Sequence, residues 1–229
     1  LFEQEGDAQM HKATILKIDQ VTHDVKRFRL VEPEGFDFKV GDATEIALDE
    51  DGWRDETRPF TMTSLPEERT LEFTIKGYPD HDGVTERLHK LKEGDHVLIA
   101  DPFKTFRYDE PGVFIAGGAG ITPFLAIFRD LEKKGKLNGN QLIFANKTSE
   151  DIIYRKELEA MDGLKIDHVL SDEDTAGSHH GMIDADMIKE FVPDLDRRFY
   201  LCGPPPMMEA VQEVLEELGV KADSVEFSD

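Results

Sequence analysis

The sequence predicts two successive structural units, an antiparallel β-barrel followed by an α/β unit with a parallel sheet. In the first half, short apolar runs are separated by turn residues about every ten positions, which is typical of antiparallel barrels. In the second half, short apolar runs alternate with segments of helical spacing, which is typical of a parallel sheet covered on both faces. The pattern changes near residue 107, so the predicted domains span residues 1–107 and 108–229.

Alternation and turn residues define the elements of the first unit. Strands are expected over 11–22, 25–31, 42–48, 71–75 and 97–100, and Pro33 to Gly35 and Glu50 to Gly52 interrupt the chain between them. One segment departs from this pattern, because Leu88 and Leu91 share a face at helical spacing. A short helix is therefore predicted over 85–91.

The second unit reads as five buried strands and four helices. The strands are expected over 112–116, 142–145, 166–170, 199–202 and 225–227. The helices are expected from 124 to 131, ending near Gly135, and over 151–161, 182–191 and 205–218. Each helix follows one of the first four strands, as repeated strand–helix crossovers require.

Composition narrows the class of protein. Hydrophobic residues make up 39% and charged residues 33%, which predicts a globular chain. A formal charge of −22 argues against nucleic acid and anionic membranes as partners. The single cysteine excludes a disulfide framework and any multi-cysteine metal or iron–sulfur site within this chain, and no metal site is predicted. The absence of a signal-peptide pattern and of an 18-residue apolar run predicts a cytoplasmic protein without membrane insertion.

A glycine-rich turn, Gly117 to Pro123, lies between the first strand and first helix of the second unit. Glycines allow a tight turn and the close approach of a pyrophosphate, whose charge then lies at the helix N-terminus. Thr122 is expected to cap the helix and Pro123 to occupy its first turn. A plain strand–helix turn is the alternative, but the position in the first βαβ unit favours nucleotide binding.

A second segment, Arg58 to Ser64, combines a cation, an aromatic ring and hydroxyl groups on a predicted strand. Arginine offers a rigid fork for phosphate, Phe60 a flat apolar face for a ring system, and Thr61 a hydrogen bond to a ring nitrogen. Ordinary strand patterning is an open alternative for this segment taken alone.

A third segment, Cys202 to Met208, follows the fourth strand at the carboxyl edge of the sheet, where ligands of open α/β sheets bind. Prolines 204–206 stiffen the turn before the next helix. A lone cysteine at a strand end is usually a small core residue, and its position at this edge is what favours a functional interpretation.

The three segments, in this order, resemble the ferredoxin–NADP reductase superfamily. That family carries an Arg-x-aromatic-Ser/Thr-x-x-Ser motif in a flavin barrel, then Gly-Gly-x-Gly-Ile-Thr-Pro and Cys-Gly-Pro in a nucleotide domain. The segment from Phe73 to Leu88 is also similar, with Thr85 in place of the family's serine. Phe60 replaces a frequent tyrosine, and Lys104 stands where many relatives have glycine, so a flavin-side loop is expected to differ. The resemblance covers residues 11–227.

The resemblance implies roles for particular residues. FAD, with FMN as the alternative, is expected to contact Arg58, Pro59, Phe60, Thr61, Ser64, Ile75, Lys76, Gly83, Val84 and Thr85. The pyridine nucleotide is expected to contact Gly118, Gly120, Ile121, Thr122, Asp172, Cys202, Gly203 and Pro204. Thr61, donating toward flavin N5, and Cys202, shaping the nicotinamide pocket, are the expected catalytic residues. Tyr78 is expected either to stack on an adenine or to be a plain surface residue. Phe227 is expected either to cover the flavin or to be an inward residue of the last strand.

The nucleotide preference is predicted from Asp172. The family's NADP-specific members place Ser-Arg after the third strand of the nucleotide domain, and this chain has Ser171-Asp172 there. A carboxylate repels a 2′-phosphate and accepts from a free ribose hydroxyl, which predicts NADH. Lys147 and Arg155 are alternative sources of positive charge.

The predicted function is that of a flavin-dependent NAD(P)H oxidoreductase. It transfers hydride from nicotinamide to flavin N5 and electrons to a separate protein, such as a ferredoxin, a flavodoxin or an oxygenase component. Two alternatives remain: a reductase of free flavin or ferric complexes, and a non-catalytic nucleotide-binding regulatory module. The single cysteine excludes a fused plant-type iron–sulfur domain within this chain.

Overall fold

The computed structural model describes residues 10–78, 82–221 and 225–227. The first unit is an antiparallel sheet of strands in the order β4-β3-β6-β1-β2-β5, with β7 paired to β3. An isolated bridge between Met62 and Phe73 joins its two edges, which curls the sheet into a near-barrel. The elements are β1 (His11–Gln20), β2 (Val25–Val31), β3 (Asp42–Leu48), β4 (Arg58–Thr61), β5 (Thr70–Lys76), α1 (Val84–Leu88), β6 (His96–Ile99) and β7 (Phe103–Lys104).

Strand β5 is buried on both faces. Its side chains alternate with a period of two, so Leu71, Phe73 and Ile75 point into the barrel core. Glu72 and Thr74 point to the opposite face, yet they are only 6% and 4% exposed. The second unit covers this outer face, so β5 lies at the contact between the two units.

The second unit is a parallel sheet in the order β11-β10-β9-β8-β12-β13. Helices α2 and α3 pack on one face, and α4 and α5 on the other, each over its own apolar cluster. The chain order reverses between β8 and β12, which opens a crevice at their carboxyl ends. The elements are β8 (Gly112–Gly117), α2 (Thr122–Lys133), β9 (Gln141–Asn146), α3 (Arg155–Glu159), β10 (Lys165–Leu170), β11 (His179–His180), α4 (Ala185–Phe191), β12 (Arg198–Cys202), α5 (Pro205–Glu217) and β13 (Val225–Phe227).

The predicted fold class is confirmed, while several helices are shorter than expected. The helix predicted over 151–161 is replaced by a 3₁₀ turn, Ser149–Asp151, and the five-residue α3. Tyr154 separates them with a left-handed backbone at φ 53°, which ends regular spacing there. Helix α4 begins at Ala185 rather than 182, because the Asp184 side chain accepts from the Met187 amide at 2.8 Å and caps it.

Among the described residues, no helix combines the length and apolar character needed to cross a bilayer.

Candidate functional site

A cavity of about 250 Å³ lies between the barrel and the parallel sheet, and we call it the central cavity. Thr61 at the end of β4 and Cys202 at the end of β12 both line it. The barrel supplies an apolar wall of Pro59, Phe60 and Ile75. Two units that are distant in sequence therefore meet at one cavity, with the two predicted catalytic side chains on its walls.

The parallel sheet contributes the opposite wall through the glycine turn. Thr122 lines the cavity together with Pro123 and Ala119. Gly120 packs directly on the end of β12: a Cβ placed there would lie 2.3 Å from the Cys202 carbonyl oxygen. Only glycine allows this close approach of two backbone segments. The position of Cys202 in the cavity thus depends on a missing side chain at Gly120.

A second cavity adjoins the central one, and we call it the Arg58 cavity. Its lining residues are Arg58, Tyr78, Gly83, Val84 and Thr85, and it shares Tyr78 and Thr85 with the central cavity. Arg58 is exposed, and its Nη1 donates to the Thr57 carbonyl at 2.6 Å. A guanidinium beside the first turn of α1 brings positive charge and backbone N–H groups together, a combination that suits phosphate.

A third cavity, of about 320 Å³, lies at the carboxyl ends of β8, β9 and β10, and we call it the glycine-turn cavity. Its apolar wall is formed by Met182, Ile183 and Met207, with Pro204 and Pro206 beside them. Gly117, Gly118 and Lys147 line its polar side. Lys76, the last residue of β5, lines this cavity and the central cavity, which makes the two neighbours.

Asn146, at the end of β9, lines the glycine-turn cavity and was not among the predicted site residues. Its Oδ1 and Nδ2 are buried and find no hydrogen-bond partner within the described residues. Buried polar atoms of this kind are rare in folded proteins. Because Asn146 lines the cavity, its unpaired amide fits a polar ligand there.

His89 supports the barrel side of the central cavity from behind. Its Nε2–H donates to the Ile75 carbonyl at 2.8 Å, while Lys26 donates to the His89 carbonyl at 2.8 Å. Burial lowers the pKa of His89, which keeps the ring neutral near pH 7. A neutral ring with its proton on Nε2 satisfies the carbonyl of a cavity-wall residue.

Some predicted site residues lie outside the three cavities. Ser64 is fully buried, and its hydroxyl accepts from the Glu72 amide at 3.0 Å. Ile121 belongs to the apolar core, and Gly203 packs between Gly117 and Met207. Asp172 is exposed, and its neighbour Ser171, which donates to it at 2.7 Å, is the residue that lines the glycine-turn cavity.

Two further predictions concern Thr122 and Phe227. The predicted side-chain cap at Thr122 is wrong: Thr122 is the first residue of α2, and its hydroxyl donates to the Ala119 carbonyl at 3.1 Å. The hydroxyl therefore closes the glycine turn instead of the helix. Pro123 does occupy the first turn. Phe227 ends β13 and pairs with Leu201, but its side chain lies outside the described residues.

The sequence matches two family models in succession. The oxidoreductase FAD-binding domain matches residues 12–108, and the oxidoreductase NAD-binding domain matches residues 114–213. NADH-cytochrome b5 reductase 1 of Aspergillus terreus is 32% identical, over 87% of this chain and 74% of that relative. The chain belongs to the ferredoxin–NADP reductase superfamily. Its two matched domains are the FAD-binding and the NAD-binding domain of oxidoreductases.

Two further proteins are similar to nearly the whole chain. The reductase component of propane 2-monooxygenase from Rhodococcus jostii is 27% identical over 93% of this chain, which spans 62% of that relative's length. The solved FAD- and NAD-binding domain of nitric oxide dioxygenase from Vibrio cholerae has a TM-score of 0.84 and 25% identity. That match covers 95% of this chain and 97% of the solved one.

Proposed function

We propose that the chain is a reductase that uses bound FAD to pass electrons from NADH to a separate acceptor protein. The observation that carries this proposal is the central cavity, where Thr61 and Cys202 face one space from two different units. The Arg58 cavity and the glycine-turn cavity each share at least one lining residue with it. The proposed division places flavin binding in residues 1–107 and nucleotide binding in residues 108–229.

The donor set around the central cavity fits a flavin. Phe60, Pro59 and Ile75 would pack on the ring system, and the Thr61 hydroxyl would orient its reactive nitrogen. Arg58 and Thr85, with the backbone at Gly83 and Val84, would hold the phosphates in the Arg58 cavity. Tyr78 lines both cavities at their junction and would cover the part of FAD that passes between them.

The glycine-turn cavity fits a pyridine nucleotide. Its glycines would accept the pyrophosphate, and Met182, Ile183 and Pro206 would pack on the apolar faces of the base. The Asn146 amide would satisfy its buried donor and acceptor on the nucleotide. Cys202 and Thr122 would direct the nicotinamide toward the barrel wall of the central cavity.

When bound, FAD supplies the redox chemistry, since it takes a hydride and releases electrons singly. The residues of the chain contribute position. The two walls of the central cavity would hold both rings at one place, which would replace a bimolecular encounter with a fixed arrangement. The Thr61 hydroxyl adds one oriented hydrogen bond.

The proposed preference for NADH rests on charge at the end of β10. Asp172 is exposed beside Ser171, which lines the cavity, so its carboxylate would repel a 2′-phosphate. Lys147 also lines the cavity and provides the opposing charge. Arg155 is engaged elsewhere, where its Nε donates to Glu159 at 2.8 Å. Initial rates with NADH and NADPH at equal concentration test the preference, and a strong NADPH advantage contradicts it.

A separate protein acceptor is proposed from the relatives and from cysteine content. Their names describe reductase components of oxygenase systems and cytochrome b5 reductases. One cysteine cannot hold a four-thiolate iron–sulfur cluster within this chain. Comparing ferredoxin, cytochrome b5, free flavin and ferricyanide as acceptors tests this step. Fastest turnover with free flavin would instead indicate a diffusible small-molecule acceptor.

The first experiment is identification of the pigment. Heat release followed by chromatography should yield FAD, and anaerobic NADH should bleach the visible absorption of the holoenzyme in a stopped-flow mixer. A protein that stays colourless after flavin addition would favour a non-catalytic nucleotide-binding module.

A further inference from the structure

A buried polar contact joins helix α2 to the outer face of the barrel, centred on Arg129. The Arg129 Nη1 donates to the Thr63 carbonyl and to Glu72 Oε1, both at 2.7 Å. Its Nε and Nη2 donate to the two oxygens of Glu157 at 2.6 and 3.1 Å. Only 17% of the arginine side chain and 8% of the Glu72 side chain are exposed. One guanidinium therefore connects two barrel residues with a residue of the parallel-sheet unit.

Glu72 is tied to the barrel on its other side. It accepts from the Thr63 hydroxyl at 3.1 Å, and Arg29 and Arg27 lie 3.4 and 3.8 Å from Oε2. Burial alone would raise the pKa of Glu72, but Arg129 and the other donors outweigh burial and hold it below its usual value. The carboxylate is therefore charged near pH 7 and holds the guanidinium in place.

The contact links the two walls of the central cavity. Arg129 lies two helical turns, about 10 Å, beyond Thr122, the first residue of α2. Its acceptor Thr63 follows Thr61 by two residues on the barrel side. The path from one wall to the other thus runs along a rigid helix, through one guanidinium, to the segment that carries Thr61.

A second contact reinforces the same geometry. The Tyr154 hydroxyl lies 3.2 Å from the Thr74 hydroxyl, and the Arg129 guanidinium lies 5.3 Å from the tyrosine ring centroid. Thr74 lines the central cavity and is the outward neighbour of Ile75 on β5. The parallel-sheet unit therefore holds the cavity strand β5 at Glu72 and at Thr74.

A buried ion pair adds little net stability, because desolvation offsets attraction, but its geometry is strict. Apolar contacts between the units, such as the Phe106 and Phe124 rings with centroids 5.1 Å apart, are non-directional. A guanidinium that serves a carboxylate with two N–H groups and also binds further acceptors fixes direction as well as distance. Arg129 therefore contributes more to the relative position of the two units than to the free energy of unfolding.

We infer that Arg129 is a positioning residue that sets the distance and angle between the Thr61 wall and the Cys202 wall, and thereby the hydride-transfer geometry. This inference rests on the proposed function. Because a misplacement of about 1 Å can cost roughly 100-fold in rate, loss of the contact affects transfer much more than nucleotide affinity.

The test compares Arg129→Met with Lys133→Met. Lys133 also joins α2 to the barrel, through Glu67 at 2.5 Å, but both side chains are at least half exposed. Each holoenzyme is mixed anaerobically with NADH to measure flavin reduction. NAD⁺ is also titrated without turnover, and the change in the visible spectrum of bound FAD reports the approach of the two rings. Thermal unfolding and FAD content are measured in parallel.

The expected result is a fall in flavin reduction of about tenfold to 100-fold in Arg129→Met, with a weakened spectral response and similar NADH affinity. Lys133→Met should stay within about twofold of wild type, as expected for an exposed pair. Equal rates and spectra in the two variants would overturn the inference and leave the proposed function intact. If NADH does not reduce the flavin of the wild-type protein, the inference and the proposed function are both overturned.

Arg129→Lys keeps the test decisive if the methionine variant does not fold. Lysine keeps the charge, but one ammonium cannot reproduce the fork that serves Thr63, Glu72 and Glu157 together. A folded lysine variant should still reduce flavin at least about fivefold more slowly than wild type, since even one lost hydrogen bond is worth about 1 kcal/mol. Wild-type kinetics in Arg129→Lys would overturn the inference.

Discussion

Gly120→Ala tests the contact that places Cys202 in the central cavity. The added Cβ would lie 2.3 Å from the Cys202 carbonyl oxygen, 2.6 Å from its carbonyl carbon and 2.7 Å from Gly203 Cα. Ordinary contacts begin at 3.4 Å, and all three neighbours are backbone atoms that no rotamer change can move. The glycine turn and the end of β12 must therefore separate by about 1 Å.

The displacement should affect transfer much more than stability. Overpacking of this size costs about 1–3 kcal/mol of unfolding free energy, which a folded domain can tolerate. A 1 Å shift between reacting groups costs roughly 100-fold in rate. Arg58 and Thr85 belong to the barrel and not to the two segments that must separate, so the variant should keep its FAD.

The assay is stopped-flow reduction of bound FAD by NADH, with dithionite reduction as the check that the flavin remains competent. Gly135→Ala is the matched control. Gly135 follows α2 with φ +64° and has no atom within 4 Å of an added Cβ. It should cost about 1 kcal/mol of backbone strain and leave the rate unchanged. Reduction of the Gly120→Ala flavin at near wild-type rate would refute the reasoning.

Three further predictions address single groups. Thr61→Val should slow flavin reduction by about fivefold to tenfold without loss of stability, because one neutral hydrogen bond is worth about 1 kcal/mol; stopped-flow kinetics and thermal unfolding measure this. Asp172→Asn should raise the rate with NADPH relative to NADH by up to about tenfold in steady-state assays, because a repelling charge is removed. Burial lowers the pKa of His89 and of His168, so the unfolded chain binds their protons first as pH falls. Stability should therefore decrease as pH falls from about 7 through the lowered values, and His89→Gln with His168→Phe should flatten that slope in urea titrations.

Nearby residues of the same type provide the controls. Thr14→Val removes a threonine hydroxyl on β1 that contacts His96 and lines none of the three cavities, so it should not change flavin reduction. Asp174→Asn removes an exposed carboxylate two residues beyond Asp172 and should leave the nucleotide ratio closer to wild type. An equal effect at Asp174 would indicate a general field rather than a local contact. An unchanged pH slope in the histidine variants would contradict the assignment of that slope to buried rings.

Local sequence patterns predicted the features that depend on a single segment of the chain. The strand alternation, the glycine turn and the placement of Cys202 at a strand end follow from spacing and residue type, and the fold class is confirmed. Ser64 shows the limit. The family motif implied a flavin contact for Ser64, but the segment after β4 turns its hydroxyl inward, where it accepts from the Glu72 amide. Residue type did not reveal which face of the segment would meet a neighbouring strand.

Contacts between the units were not predictable from spacing. Arg129 and Glu72 are 57 positions apart, and each charge by itself is typical of a solvated helix or strand face. Asn146 was likewise inconspicuous, as a polar residue after a buried strand. In both cases the decisive fact is burial, which depends on how the two units pack. The one indication for Arg129 in the sequence is its position beside the apolar Phe128 and Leu131 on helix α2. A charge buried among apolar residues needs a partner.

Strand β5 explains why both the cavity and the interface need this packing. Its inward residues Leu71 and Phe73 fill the barrel, its outward residues Glu72 and Thr74 meet the parallel-sheet unit, and its last residue Lys76 lines two cavities. These three roles follow from the alternation of side chains between the two faces of one strand. A register slip by one residue would bury charge in the barrel and expose apolar side chains to Arg129, so register here is fixed by both units at once. The geometry between the cavity walls is therefore specified by the same alternation that folds the barrel.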